Sequence, residues 1–317
     1  MSRRLLAALM VVCLASGLRT APSRADTVHV YARGETFAAL AERYYGSASF
    51  EPVIVAANFL YLQATPTLPT GVHLTVPSVS YQRVNPGDTW ARLAQRHLGD
   101  ARRGGYLARI NGGRFDLSPS AGTVIRLPYL LRYVVMSEEP LFEIARRFYG
   151  DRAMVQFITE FNLLGSQRVS RGQVLVLPLA DVVLRETSAA SADAALVAAH
   201  GAQRDVERDL PALRRLVQRG LYVEAVALSG RLSGVPELTQ SHRVAIFSAV
   251  AEAHAALDRP DLAADAYRQV LAADPSFTLD PAAAPPKLLT AFALARGTAP
   301  SVVLQPAPPT ARPDTAH

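Results

Sequence analysis

Gly87-Asp88-Thr89-Trp90, followed by Leu93-Ala94, His97 and Gly99, is the stretch of this 317-residue chain that decides its fold. The glycine permits a tight turn, and the threonine can cap a helix through its hydroxyl. Trp90, Leu93, Ala94 and His97 then recur at three-to-four spacing, the period of one helix face. Arg83-Val84, just ahead, reads as a short opening strand. A second helix ends near Asn111, and a loop with proline and glycine leads to Ile125-Arg126-Leu127-Pro128, an alternating closing strand. The unit is strand, helix, helix, strand, with two short antiparallel strands under two helices.

The pattern repeats. Asn58, Asn111 and Asn162 stand 53 and 51 residues apart. A glycine ahead of each (Gly46, Gly99, Gly150) keeps the same two intervals. A glycine behind each (Gly71, Gly122, Gly172) keeps 51 and 50, and all three units close on a strand ending in Pro77, Pro128 or Pro178. Self-similarity in one register across residues 28–178 identifies a three-unit array. In the first unit Val28–Tyr31 is the opening strand, Gly34-Glu35-Thr36 the turn, and Phe37, Leu40, Ala41 and Tyr44 the helix face. The third opens with Tyr133-Val134-Val135, but Glu138-Glu139-Pro140 stands where the turn triplet is expected.

This order, with Gly-Asp/Glu-Thr, an apolar residue, Leu-Ala, Asn, Gly and a strand ending in Pro, resembles the lysin motif (LysM). The resemblance implies binding of peptidoglycan or another GlcNAc-containing glycan, in a groove between the loop after the first strand and the loop after the second helix. Carried over by position, the first groove would use Gly34, Glu35, Thr36, Phe37, Asn58 and Phe59. The second would use Gly87, Asp88, Thr89, Trp90, Ile110 and Asn111. The third unit has a degenerate ligand lip. Plainer roles stand beside these: Phe37 and Trp90 as core, Thr36 and Thr89 as caps, Asn58 and Asn111 as left-handed helix ends.

Between Tyr81 and Tyr129 eight arginines face three aspartates, a net of +5. That excess reads either as attraction to anionic wall material or as a solvated arginine face.

Residues 1–25 read as a signal peptide: a cationic start at Arg3-Arg4, an apolar run from Leu5 to Leu18, and Ser23-Arg24-Ala25 before Asp26. An uncleaved anchor is the alternative. Without them 29 bases face 27 acids, a balance that argues against nucleic-acid binding. Cys13 is the only cysteine and precedes Asp26, so neither a disulfide nor a thiol nucleophile is expected in the exported chain.

Residues 181–193 read as a linker and 298–317 as a disordered Pro/Ala-rich tail. Between them, 194–297 is helical. Phe247, Val250, Ala251 and His254, then Ala263 and Tyr267, then Pro275, resemble one tetratricopeptide repeat (TPR). A degenerate copy starts at Gly220-Leu221-Tyr222, and flanking helices are expected at 194–208 and 286–296. The resemblance implies a surface for a protein partner; a plain helical spacer is the alternative.

The fold class expected is α+β: three tandem βααβ LysM-type domains (26–79, 80–129, 130–180) followed by an all-α TPR-like domain. The histidines are scattered singly, and neither His-Glu-x-x-His nor Gly-x-Ser-x-Gly occurs. The reading is a non-catalytic, exported, wall-associated protein, periplasmic or at the cell surface, with no cofactor, no metal and no stable membrane span after cleavage. Two alternatives stay open: an assembly scaffold whose LysM units make protein contacts, and a peptidoglycan hydrolase.

Overall fold

The computed structural model describes residues 27–62, 68–185 and 192–297. The expected signal peptide (1–25), residues 186–191 of the expected linker and the tail from 298 lie outside them.

Three strand–helix–helix–strand modules precede a helical half. The first runs β1 (Thr27–Val30), α1 (Phe37–Tyr45), α2 (Glu51–Ala57), β2 (His73–Val76). The second runs β3 (Ser80–Arg83), α3 (Trp90–Leu98), α4 (Gly104–Ile110), β4 (Val124–Leu127). The third runs β5 (Tyr129–Val134), α5 (Leu141–Tyr149), α6 (Val155–Phe161), β6 (Val174–Leu179). Each has its own two-stranded sheet: β1 with β2, β3 with β4, β5 with β6. Thr27 pairs antiparallel with Val76 in the first, and Val134 with Val174 in the third.

Local chemistry explains the repetition. Thr36 and Thr89 accept hydrogen bonds from the Ala39 and Arg92 backbone N–H groups at 3.1 and 3.2 Å, capping α1 and α3. The third module has Pro140 as its cap residue, with no side-chain bond; its fixed φ of −64° alone sets the helix entry. Gly46, Gly99 and Gly150 end the first helix of each module in the left-handed conformation.

Each module then uses one asparagine as a clamp between its second helix and its closing strand. Asn58 Nδ2 donates to the Ile54 and Thr75 carbonyls, and the Thr75 N–H donates back to Oδ1, all at 2.8 Å. Asn111 does the same with Leu107 and Arg126, and Asn162 with Ile158 and Val176. These asparagines have φ near −100°, not the left-handed value expected from the sequence. An amide that must reach across to the strand leaves the reversal to the next residue. That residue is Phe59 (φ 55°), Gly112 (φ 69°) or Leu163 (φ 54°).

The chain divides into two compact units, and neither follows sequence order. One combines the first and third modules (residues up to Ser80 and Leu127–Thr187); the other combines Tyr81–Arg126 with the helical half. Within the first, Tyr61 stacks on Tyr133 at 5.0 Å, and its hydroxyl accepts the Val134 N–H at 2.9 Å. That bond occupies a donor on β5 that would otherwise stay open.

The helical half contains α7 (Ala192–Gln218), α8 (Tyr222–Ser233), α9 (Gln240–Ala256), α10 (Pro260–Ala273) and α11 (Pro286–Ala295). The expected flanking helix at 194–208 is longer than read, because Pro211 sits exposed inside α7 without ending it. Its core is built on alanines (Ala225, Ala249, Ala253, Ala251, Ala263, Ala266), which let helices approach closely around Ile246, Tyr267 and Phe292.

Candidate functional site

In the second module the turn after β3 is held by Asp88. Its carboxylate accepts the Asn85 N–H at 3.0 Å and Arg96 Nη2 at 3.1 Å, and only 7% of the residue is exposed. The Asn85 N–H, with Arg96 beside it, keeps this carboxyl below the ordinary aspartate range. In the first module Glu35 accepts the Ala32 N–H at 2.7 Å and His29 Nε2 at 2.8 Å, and its carboxyl is lowered chiefly by the Ala32 bond. The third module keeps the acid. Glu139 takes the Tyr133 hydroxyl at 2.6 Å and Arg147 at 2.7 Å, and burial with this carboxylate pushes Tyr133 up to about 12.

The side chains read as ligand contacts are therefore largely engaged in architecture. Asp88 and Glu35 fasten turns, Thr36 and Thr89 cap helices, and Asn58 and Asn111 clamp strands. Trp90 is 4% exposed and packs as core; Phe37 is half-buried and stacks on Tyr31 at 6.3 Å. Ile110 is half-buried, and its carbonyl accepts Arg126 Nη2 at 3.3 Å. What stays open is the space over the turn glycines, although the Gly87 carbonyl accepts Arg92 Nη1 at 3.1 Å and the Glu35 carbonyl the Tyr31 hydroxyl at 3.0 Å. A Cβ added to Gly34 or Gly87 would meet nothing within 4 Å, and both glycines hold positive φ, 89° and 80°. Phe59 is 48% exposed with φ 55°, a conformation that is costly for a bulky side chain and that holds its ring in solvent beside the clamp.

One surface aromatic escapes sequence reading. Phe115, in the loop between α4 and β4, is 56% exposed. A Cβ on Gly104 would lie 2.7 Å from its ring and 3.0 Å from the backbone where α3 begins. Phe115 thus lies next to the start of α3, which directly follows the Gly87–Thr89 turn. An aromatic in an irregular loop has no period to reveal it.

The second module is also fastened to α7. Gln203, 2% exposed, accepts the Val124 N–H at 2.8 Å and donates to the carbonyls of Gly122 and Glu237 at 3.1 and 2.8 Å. His200 Nδ1 lies 2.7 Å from the Val124 carbonyl. Since a carbonyl only accepts, Nδ1 carries the proton in this bond.

Burial holds His200 below the ordinary histidine range, and His97 likewise. Below about pH 6.5 the unfolded chain binds these protons more readily than the folded one. Stability is therefore expected to fall as pH drops through that value. Urea midpoints at about pH 7.5 and about pH 5.5 should show the loss; equal midpoints would contradict it.

Among the described residues, no three His, Cys, Asp or Glu side chains are grouped to hold a metal, and no helix is long and apolar enough to cross a membrane.

Comparison with known proteins agrees with this geometry. Residues 83–128 match the LysM domain, so the second module is of the LysM class. Two esterases of Mycobacterium tuberculosis, from strains CDC 1551/Oshkosh and ATCC 25618/H37Rv, are each 33% identical to the chain over 153 residues. The match takes in 48% of this chain and 33% of each esterase, so the chain spans a third of the length of these relatives.

Proposed function

We propose that this is a non-catalytic, exported cell-envelope protein that binds GlcNAc-containing glycan, peptidoglycan above all, through LysM modules. The observation that carries the reading is the second module, where a LysM-class fold leaves the Gly87 turn unobstructed beside exposed Phe115. An N-acetyl group needs a main-chain donor and acceptor with an apolar surface for its methyl, and an aromatic face suits the sugar ring. The first and third modules repeat the topology, the acid-fastened turn and the asparagine clamp, which supports reading them as LysM units too. Linked sites on one polymer gain by effective concentration. The helical half is read as TPR-like, with a protein partner at 194–297.

Two thirds of each related esterase lie outside the match, so their activity is not carried to this chain. A p-nitrophenyl ester assay and a dye-release assay on labelled sacculi test this: neither should show turnover, and turnover in either would make the protein a hydrolase.

Retention on purified sacculi tests the binding. Gly87→Ala adds a methyl to open space at a positive φ, a strain of about 1 kcal/mol. It should leave the fold intact and reduce retention. Full retention of the Gly87→Ala, Phe115→Ala double variant would overturn the groove assignment. No retention of the folded parent chain would favour the protein-contact scaffold.

Phe59→Gly separates binding from stability in the first module. Glycine adopts φ 55° freely, so stability should change by no more than about 1 kcal/mol. Affinity for chito-oligomers, followed by titration, should nevertheless fall. Unchanged affinity would reduce Phe59 to a strained surface residue.

A further inference from the structure

Next to the α4–β4 loop, a cleft of about 330 Å³ opens between the second module and the helices α7 and α9. It belongs to one compact unit, since residues 81–126 and the helical half cluster together. A third of its lining residues come from outside the LysM domain, which ends at Pro128.

Its lining is rich in donors and poor in acceptors that carry charge. Arg114, Ser118 and Ser120 come from the loop, and Arg204, Ser241 and His242 from the helices. Glu207 is the acid among the lining residues, and it already pairs with Arg204 at 3.2 Å, while His242 Nε2 stands 3.9 Å from it. Arg114 is paired with Asp116, which does not line the cleft.

Two lining side chains are more than nine-tenths buried, and each keeps a ring nitrogen with no partner: Trp90 Nε1 and His242 Nδ1. Buried polar atoms are nearly always hydrogen-bonded, so two orphans at one cleft need a reason. The indole N–H is a donor only, and asks for an acceptor. The main chain comes close here as well. A Cβ on Gly113 would strike the indole at 2.6 Å, and one on Gly112 would lie 2.9 Å from Arg204 Nη1.

We infer that this cleft binds a carboxylate-bearing substituent, of the kind a stem peptide supplies, on a glycan seated in the second module. A carboxylate offers several acceptor positions and a charge that guanidinium groups match in geometry. The inference rests on the glycan-binding reading for its location, but the chemistry of the cleft stands apart from it. It also places the helical half in ligand recognition, with Arg204 as the residue that reads the charge.

The test is a calorimetric titration of the full chain with three ligands: a peptide-free chito-oligomer, a disaccharide carrying an acidic stem peptide, and that peptide alone. The peptide-bearing sugar should bind about tenfold more tightly than the peptide-free one. Arg204→Ala should abolish that gap and leave chito-oligomer binding unchanged; Arg204→Lys should restore part of it. Equal affinity for the two sugars in the parent chain overturns the inference while leaving glycan binding intact. If neither sugar binds, the glycan reading fails; the cleft assignment then survives only if the free peptide binds and Arg204→Ala removes that binding.

Discussion

Replacing Asn111 with alanine is expected to destabilise the second module by about 2–4 kcal/mol. The side chain makes three hydrogen bonds of 2.7–2.9 Å, two to carbonyls and one from the Arg126 N–H. Alanine returns none of them. The Leu107 carbonyl keeps its place at a helix end, but the two groups of Arg126 face inward from β4 and lose their partner. Net bonds of about 1 kcal/mol each, with desolvated groups left unpaired, set the size of the effect. Asn111→Asp provides a second reading: the carboxylate can still accept from Arg126 N–H but cannot donate to either carbonyl, so most of the loss should persist. Chemical denaturation followed by tryptophan fluorescence is the direct measurement, because Trp90 is the sole tryptophan and lies in this core. A loss below about 1 kcal/mol would mean that the clamp is incidental to the fold. Asn58 and Asn162 make the same three bonds, so their alanine variants should behave alike in the first and third modules.

Gln203→Leu is expected to cost about 3 kcal/mol and to split the unfolding transition. Leucine matches glutamine in bulk but leaves the Val124 N–H and the carbonyls of Gly122 and Glu237 without the amide. The second module and the helical half share this joint, with His200 on the Val124 carbonyl and Arg83 on Glu237 at 2.8 Å as further polar ties. The Arg83–Glu237 pair is exposed and contributes little. Once the amide is gone, Trp90 fluorescence should report the module unfolding ahead of the helices, which circular dichroism at 222 nm follows. Coincident transitions in the variant would show that the apolar contacts alone hold the joint.

Much of this was open to reading from residue order. The fifty-residue register marked the three modules, because turn glycines, caps and apolar periods act over a few residues, but the opening strands of the second and third start three and four residues earlier than read, at Ser80 and Tyr129. Thr36 and Thr89 cap as expected, and Tyr267 packs between helices. The departures are informative. The left-handed residue falls one place later than read, at Phe59 and Gly112, since the asparagine amide is committed to a strand farther along the chain. Glu139 retains the turn acid in a triplet that otherwise departs from the pattern, and its partners Tyr133 and Arg147 lie on different elements.

Residue order alone determined the three modules, the helical half and the glycine turn at Gly87. These depend on interactions within a few residues or on a period, and both are written along the chain. Only the tertiary structure decided that the first module pairs with the third, that α7 clamps β4 through Gln203, and that a donor-lined cleft lies between them. Those features join side chains tens of residues apart through surfaces that form only after the modules have folded, and no local pattern encodes which surfaces will meet.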